Sequence, residues 1–185
     1  MPSVSGFAAF DPAGAREPAA ICLARASLRD IPEILRVQAS AGRAANSTQL
    51  RRAIPASNAL VLTARPAEKT PDGDAQPVIG WAQTNYLDTP LDAAPKGHYL
   101  AGVTVDPGWR RRGVAEALTA RRLQWIAQRA DEAFFVVNPE NHASIALHAR
   151  WGFKEILRGP QLAGVTFTGG IGVLMRAQKL VSWNA

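Results

Sequence analysis

Apolar residues along this 185-residue chain change their spacing several times, and each change marks an element. Residues 21–26 read as a strand. Beyond them Ile31, Ile34, Leu35 and Gln38 keep helical spacing to about residue 40, with Ser27 or Asp30 able to cap the helix and Pro32 tolerated in its first turn. A second short helix is predicted near 46–54, ending before Pro55. Strands at 58–63 and 78–86 flank a stretch, 65–77, punctuated by Pro66, Pro71, Gly73 and Pro77. After a loop at 87–97, a strand at 99–105 leads into a helix from about 112 to 130. That helix carries Val114, Leu118, Leu123, Trp125 and Ile126 as a broad apolar stripe. Residues 133–137 are continuously apolar, the pattern of a strand covered on both faces. A helix at 142–150 stops at Gly152, and strands at 153–157 and 165–175 follow, the latter broken by Gly169 and Gly170 into a hairpin or bulge. Alternating strands and helices place residues 21–185 in the α/β class, as one domain without repeats. Residues 1–20, rich in Ala, Pro and Gly, read as a mobile or loosely docked lead that carries no chemistry.

Composition narrows the function. A hydrophobic content of 47% in a chain of this length suffices for a core without staples. The single cysteine excludes an internal disulfide and a multi-cysteine zinc site, and no metal is expected. Within its Ile-Cys-Leu run, Cys22 reads as a small buried hydrophobe rather than a nucleophile. No run reaches the ~18 apolar residues of a membrane span, and the first residues lack a signal-peptide pattern, so a cytoplasmic protein is expected, with no membrane partner. The net charge of +6 suits nucleic acid or a polyphosphate ligand. With no helix-turn-helix signature, zinc-finger spacing or aromatic ladder, nucleic acid is not the expected partner.

Residues 103–115 hold the densest chemistry. A strand bearing Val103, Thr104 and Val105 runs into Arg110, Arg111, Arg112 and Gly113, then into the helix opened by Val114 and Ala115. Gly113 can adopt angles closed to other residues and admits a phosphate to the main chain, where the first helical turn presents unpaired N–H groups. The arginines add three permanent cations able to fork onto phosphate oxygens. Outside this strand-turn-helix context, such a run would be a solvated or nucleic-acid-binding charge patch.

The same residues resemble the GCN5-related N-acetyltransferase (GNAT) superfamily, whose (Arg/Gln)-x-x-Gly-x-(Gly/Ala) turn is matched by Arg110, Gly113 and Ala115. A second block, Asn141-x-x-Ser144-x-x-Leu147-His148-x-x-x-Gly152-Phe153, is similar to the family's later motif, with His148 where tyrosine is usual. A weaker match runs from Arg25 to Ile34, so the resemblance spans about residues 21–176. It implies a single domain with a mixed, mostly antiparallel sheet flanked by helices. It also implies acetyl-CoA as co-substrate, direct transfer to an amine in a ternary complex, and the pantetheine arm lying along Val103–Val105, where a backbone N–H serves the oxyanion. Asn138, Asn141 and Ser144 are implied as further cofactor contacts, the asparagines where the family's central strands splay and bind the pantetheine arm, although Asn141 could alternatively be only a helix cap.

Acyl transfer to an amine requires loss of the ammonium proton, stabilisation of an oxyanion and departure of a thiolate. At tyrosine's place, His148 is a candidate acid for the thiolate, or else a residue that fills that place. No glutamate stands in the central strand, which has Ala101 and Gly102 there; a water relay or a loop carboxylate remains for the proton, His98 could act through water or be structural, and Glu116 could be a dipole-favoured surface acid. Asp88 and Asp92 are candidates for holding a cationic amine, or are merely solvated. The blocks around Trp109–Gly113, Ala143–His148 and Pro160–Met175 look similar to the small-molecule branch that includes aminoglycoside (kasugamycin-type) acetyltransferases. The expected acceptor is therefore an aminoglycoside-like amine, with antibiotic resistance as the role and a homodimer as a possible assembly. A protein or peptide acetyltransferase and a non-catalytic acetyl-CoA-binding regulator are the alternatives.

Overall fold

Alternate residues of the second strand face opposite layers, which makes the domain a sheet covered on both sides. In the computed structural model, which describes residues 16–44, 46–68 and 76–180, this strand is β2 (Leu60–Pro66). Its Val61 packs with Ile31, Ile34 and Val37 of α1 (Ile31–Ser40) and Leu50 and Ala53 of α2 (Ser47–Ala53). Its Leu60, Leu62 and Ala64 instead meet Val114 and Leu118 of α3 (Val114–Ala127). The period-2 alternation of a strand produces this two-sided burial.

The remaining elements are β1 (Ile21–Arg25), β3 (Gly80–Leu87), β4 (Gly97–Val105), β5 (Glu132–Val137), α4 (His142–Ala149), β6 (Lys154–Gly159), β7 (Gln161–Leu162), β8 (Val165–Thr166) and β9 (Gly172–Gln178). Seven strands form one sheet in the order β1-β2-β3-β4-β5-β9-β6, and β7-β8 is a separate hairpin. All neighbours in the large sheet are antiparallel except β4 and β5. This is the mostly antiparallel α/β sheet flanked by helices that the resemblance implied. On the second half of the sheet, Phe135 and Val137 pack with Leu123, Ile126 and Phe153, whereas Phe134 faces Tyr99, Leu162 and Leu174 on the other side.

Two expectations are corrected. The segment at 165–175, expected to finish the sheet with a break at Gly169-Gly170, divides there into β8 and β9, and β8 pairs with β7 instead of joining the large sheet. β9 enters between β5 and β6, a long-range pairing that local periodicity does not encode. Cys22 is exposed, not buried, because β1 is an edge strand and Cys22 alternates with Ile21 and Leu23, which pack toward α3. Of the lead, residues 1–15 lie outside the described residues; Arg16 and Ala19 donate N–H bonds to the Arg111 and Arg112 carbonyls at 3.0 and 3.1 Å.

Two irregularities prepare the site. β4 and β5 register only at Tyr99–Phe134, so beyond that pair each runs on without its neighbour. Between β3 and β4 the register steps from Thr84–Leu100 to Gln83–Gly102, which leaves Ala101 as a bulge next to Gly102 at φ +146°.

Candidate active site

The parting of β4 and β5 opens a cleft of about 1850 Å³, lined by Leu100–Val105 on one wall and Phe135–Asn138 on the other. Drug-sized pockets run to roughly 1,000 Å³, so this space suits a long ligand and an acceptor together.

One end of the cleft is the Arg/Gly turn. Asp106 anchors it: its carboxylate accepts from the Gly108 N–H at 3.1 Å and from Ser40 Oγ at 3.2 Å, and it pairs with Arg36 at 3.4 Å. The chain then passes through the left-handed region at Arg111 (φ +66°) and Gly113 (φ +81°). These turns send the Arg111 and Arg112 carbonyls out to the 16–19 segment. Gly113 is the N-cap of α3 and supplies no side-chain cap, so the N–H groups of the first turn face the cleft uncapped. A Cβ on Gly113 would meet nothing within 4 Å, so the space over the turn is open.

Arg110 and Arg111 line the cleft here, joined by Arg43 from the loop after α1. Burial and the nearby Arg110 hold the Arg43 pKa below its usual value. Among the described residues none of these three arginines pairs with a carboxylate. Arg112 is not part of the lining; its guanidinium lies over the Trp109 ring, 5.3 Å from the centroid.

The other sequence-predicted residues divide clearly. Val103, Thr104, Val105, Val114, Ala115, Asn138, Asn141, Ser144 and His148 all line the cleft. Asn138 and Asn141 spend their side-chain carbonyls on local turns, accepting from the Glu140 N–H at 2.9 Å and the Ser144 N–H at 3.2 Å. The helix-cap role of Asn141 is therefore present, and its amide NH₂ is not used by that bond. Asp88 and Asp92 are absent from the lining; the Asp92 carboxylate accepts from the Gly164 N–H at 2.9 Å and ties its loop to the β7-β8 hairpin. Glu116 is the one carboxylate among the described lining residues, and it is ion-paired with Arg150. His98 is buried against Tyr86 and Trp125, outside the lining.

His148 is 3% exposed, stacked on Phe135 at 4.1 Å and edge-on to Phe153. Its Nδ1 lies 2.8 Å from the Ser144 carbonyl, a contact that requires Nδ1 to carry the proton and donate it. Nε2, buried without a partner, then holds the lone pair. Burial, first, and the nearby Arg122 cation push the imidazole pKa down to about 3. Burial favours the neutral ring at physiological pH, and its one proton is engaged by the Ser144 carbonyl. Unfolded histidine titrates near ~6.5, so this group stabilises the fold fully above that value and loses the contribution as pH falls toward 3. Between those limits the slope approaches about 1.4 kcal/mol per pH unit. His148→Phe is expected to flatten the decline of Tm between about pH 6.5 and 4.5; an unchanged decline would show that His148 is not held neutral.

Sequence reasoning missed Arg122, Gln83 and Arg43 as parts of the cleft. Arg122 had a signal: the i, i+4 row Val114, Leu118, Arg122, Ile126 places a cation within an apolar stripe. Gln83 and Arg43 had none, because only the β3-β4 register and the turn after α1 bring them in.

Comparison with known proteins bears on this arrangement. The Acetyltransferase (GNAT) family matches residues 30–153. The chain belongs to the GNAT acetyltransferases. Solved structures of similar fold include the ribosomal-protein-S18-alanine N-acetyltransferase from Escherichia coli, at 17% identity and TM-score 0.65, covering 89% of this chain and 97% of that one. Arabidopsis thaliana NAA60 in complex with acetyl-CoA is 16% identical with TM-score 0.68, covering 85% and 98%. A putative phosphinothricin N-acetyltransferase is 14% identical with TM-score 0.63, covering 86% and 98%. At these identities the likeness is one of fold. No curated protein sequence matches this chain.

Acetyl-CoA, the acetyl donor of GNAT enzymes, fits the residues present. The open space over Gly113, the uncapped first turn of α3 and the carboxylate-free Arg43, Arg110 and Arg111 suit its phosphates. The unpaired edge of β4 from Val103 to Val105 suits its amide-bearing arm. Among the described residues no group of three or more His, Cys, Asp or Glu could hold a metal ion, and no helix is long and apolar enough to cross a membrane.

Proposed function

We propose that this GNAT protein is an N-acetyltransferase that moves the acetyl group of acetyl-CoA directly onto a primary amine in a ternary complex. The acceptor in this reading is neutral or anionic apart from that amine, as at a peptide α-amino group, and not a polycation. The observation that carries it is the charge of the cleft. Its described lining includes Arg43, Arg52, Arg110, Arg111 and Arg122, against one carboxylate, Glu116, already paired with Arg150. The phosphates of bound acetyl-CoA offset Arg43, Arg110 and Arg111, but the described lining keeps no free carboxylate to hold an aminoglycoside, and the acidic residues expected to do so, Asp88 and Asp92, lie outside it.

Arg122, buried in the lining and not among the arginines that suit the phosphates, favours the reactive form of the right acceptor. An ammonium near fixed cations loses its proton more readily. An α-amino group, with a pKa near ~8, needs a smaller push than an alkyl amine near ~10.4. The proton can then pass to water without a dedicated base. Direct transfer is supported by Cys22, which lies on the exposed edge strand outside the cleft and offers no nucleophile for an acetyl-enzyme. Similar folds include proteins described as acting on a ribosomal-protein alanine and as a putative phosphinothricin acetyltransferase, so both peptide and small amino-acid acceptors belong in the assay.

Thiol release from acetyl-CoA, followed against peptides of varied N-terminus, free amino acids and aminoglycosides, tests the reading. Turnover is expected with α-amino acceptors carrying neutral or acidic neighbours, and its rate should be insensitive to added polyamine-like sugars. Rapid acetylation of an aminoglycoside would overturn it. CoA binding without transfer to any amine would favour the non-catalytic regulator.

A further inference from the structure

A cation without a counter-ion is enclosed beside the bulge of β4. Arg122 belongs to the apolar row of α3 and is fully buried. Its Nη1 donates to the carbonyls of Gln83 and Gly102 at 3.1 and 3.0 Å, and its Nη2 to Thr119 Oγ1 at 3.0 Å. Nε is buried with no partner. No carboxylate among the described residues pairs with the guanidinium. Removing an unpaired cation from water costs several kcal/mol, and leucine would pack the same row at no such cost. Burial lowers the guanidinium pKa to about 9, which still leaves it charged at neutral pH. Dipoles of three oxygens hold the charge in place without neutralising it.

His148 lines the same cleft; its Nε2 is the other buried side-chain atom without a partner among the described lining residues, and its only proton is held by the Ser144 carbonyl. The two groups face the same space, and His148 is the titratable side chain that α4 presents to it. β3 contributes Gln83 and Tyr86 to the lining, β4 contributes Tyr99, whose hydroxyl donates to the Pro95 carbonyl at 2.6 Å, and β5 contributes the uncharged Phe135. Of these two groups only Arg122 offers a charge, since the one proton of His148 is engaged.

We propose that Arg122 carries the charge of the departing CoA thiolate, so that the carbon–sulfur bond breaks without a general acid. The amine lone pair forms the new C–N bond at the thioester carbonyl, and collapse of the tetrahedral intermediate sends the C–S electron pair to sulfur. The proton released from nitrogen passes to water, and CoA leaves as the thiolate, to be protonated in solvent. This rests on acetyl-CoA as donor and is independent of which amine accepts. A thiol near ~8.5 in water falls to about 3.5–7.5 beside a fixed cation.

The test reads the bound thiol itself. Free CoA is bound to the protein and the ultraviolet absorbance of its thiolate is titrated with pH, while calorimetry compares CoA with desulfo-CoA, which lacks the sulfur. The wild type is expected to lower the bound thiol pKa by about one unit or more and to prefer CoA over desulfo-CoA by about tenfold or more above neutral pH. Arg122→Lys should retain a lowered value, and Arg122→Met should return it to that of free CoA and abolish the preference. A wild-type bound thiol that titrates at or above the free value overturns the proposal whether or not Arg122→Met folds. An unchanged value in folded Arg122→Met does the same. Absence of binding by both CoA and desulfo-CoA would instead overturn the donor assignment, and this proposal with it.

Discussion

Gly113→Asp is expected to abolish measurable CoA binding while leaving a folded protein. Gly113 sits at φ +81°, a conformation that aspartate tolerates better than most side chains, and its Cβ would enter open space. The fold therefore loses little. The ligand loses much, because a carboxylate placed where a phosphate must approach the α3 N-terminus repels it by about 4 kcal/mol at 4 Å and an effective dielectric near 20. Even after screening by solvent and salt, an affinity loss of about 100-fold or more follows. Calorimetric titration with CoA measures it, and ligand-induced thermal stabilisation should vanish in parallel. Gly113→Asn, of the same shape without the charge, should fall between the two. Wild-type affinity in Gly113→Asp would place the phosphate site elsewhere.

Gly80→Val is expected to destabilise the fold by about 2–3 kcal/mol. A Cβ there would stand 3.0 Å from Val114 Cγ1, 3.3 Å from the Thr104 carbonyl and 3.4 Å from Leu118 Cδ1. Valine adds two methyl groups to a contact already tighter than packing allows. The strand cannot yield, since Gly80 pairs with both Ala64 and Val105, so α3 must lift. Because Val114 opens α3 directly after the Arg/Gly turn, CoA affinity should fall together with the urea midpoint. Gly80→Val with a wild-type midpoint would mean that α3 does not close on β3 as described.

The coupling of these two positions explains which features of the chain were readable. The phosphate turn was legible because it is local: β4, the turn at 110–113 and α3 follow one another, and the backbone angles of a few residues aim the N–H groups. The helices at 31–40 and 142–149 were legible for the same reason, each with a start signal and an apolar face in adjacent residues. Cys22 misled because its apolar neighbours set an expectation of burial, and only the edge position of β1 turns it outward. Asp88 and Asp92 stand outside the described lining, because nearness in sequence to the central strand says nothing of where a loop carboxylate is held.

The sequence by itself determined the fold class, the phosphate turn and the family motifs, since hydrophobic periodicity and turn chemistry act within about ten residues of each other. Only the tertiary structure decided the insertion of β9 between β5 and β6, the parting of β4 from β5 after Tyr99–Phe134, and the neutral state of His148. It alone also brought the Arg122 guanidinium onto the Gln83 and Gly102 carbonyls. Strand order, register and burial depend on contacts between residues far apart in the chain. Charge state and chemical role at the reacting end follow from those contacts, because desolvation and neighbouring dipoles, not residue type, set what a histidine or an arginine can do there.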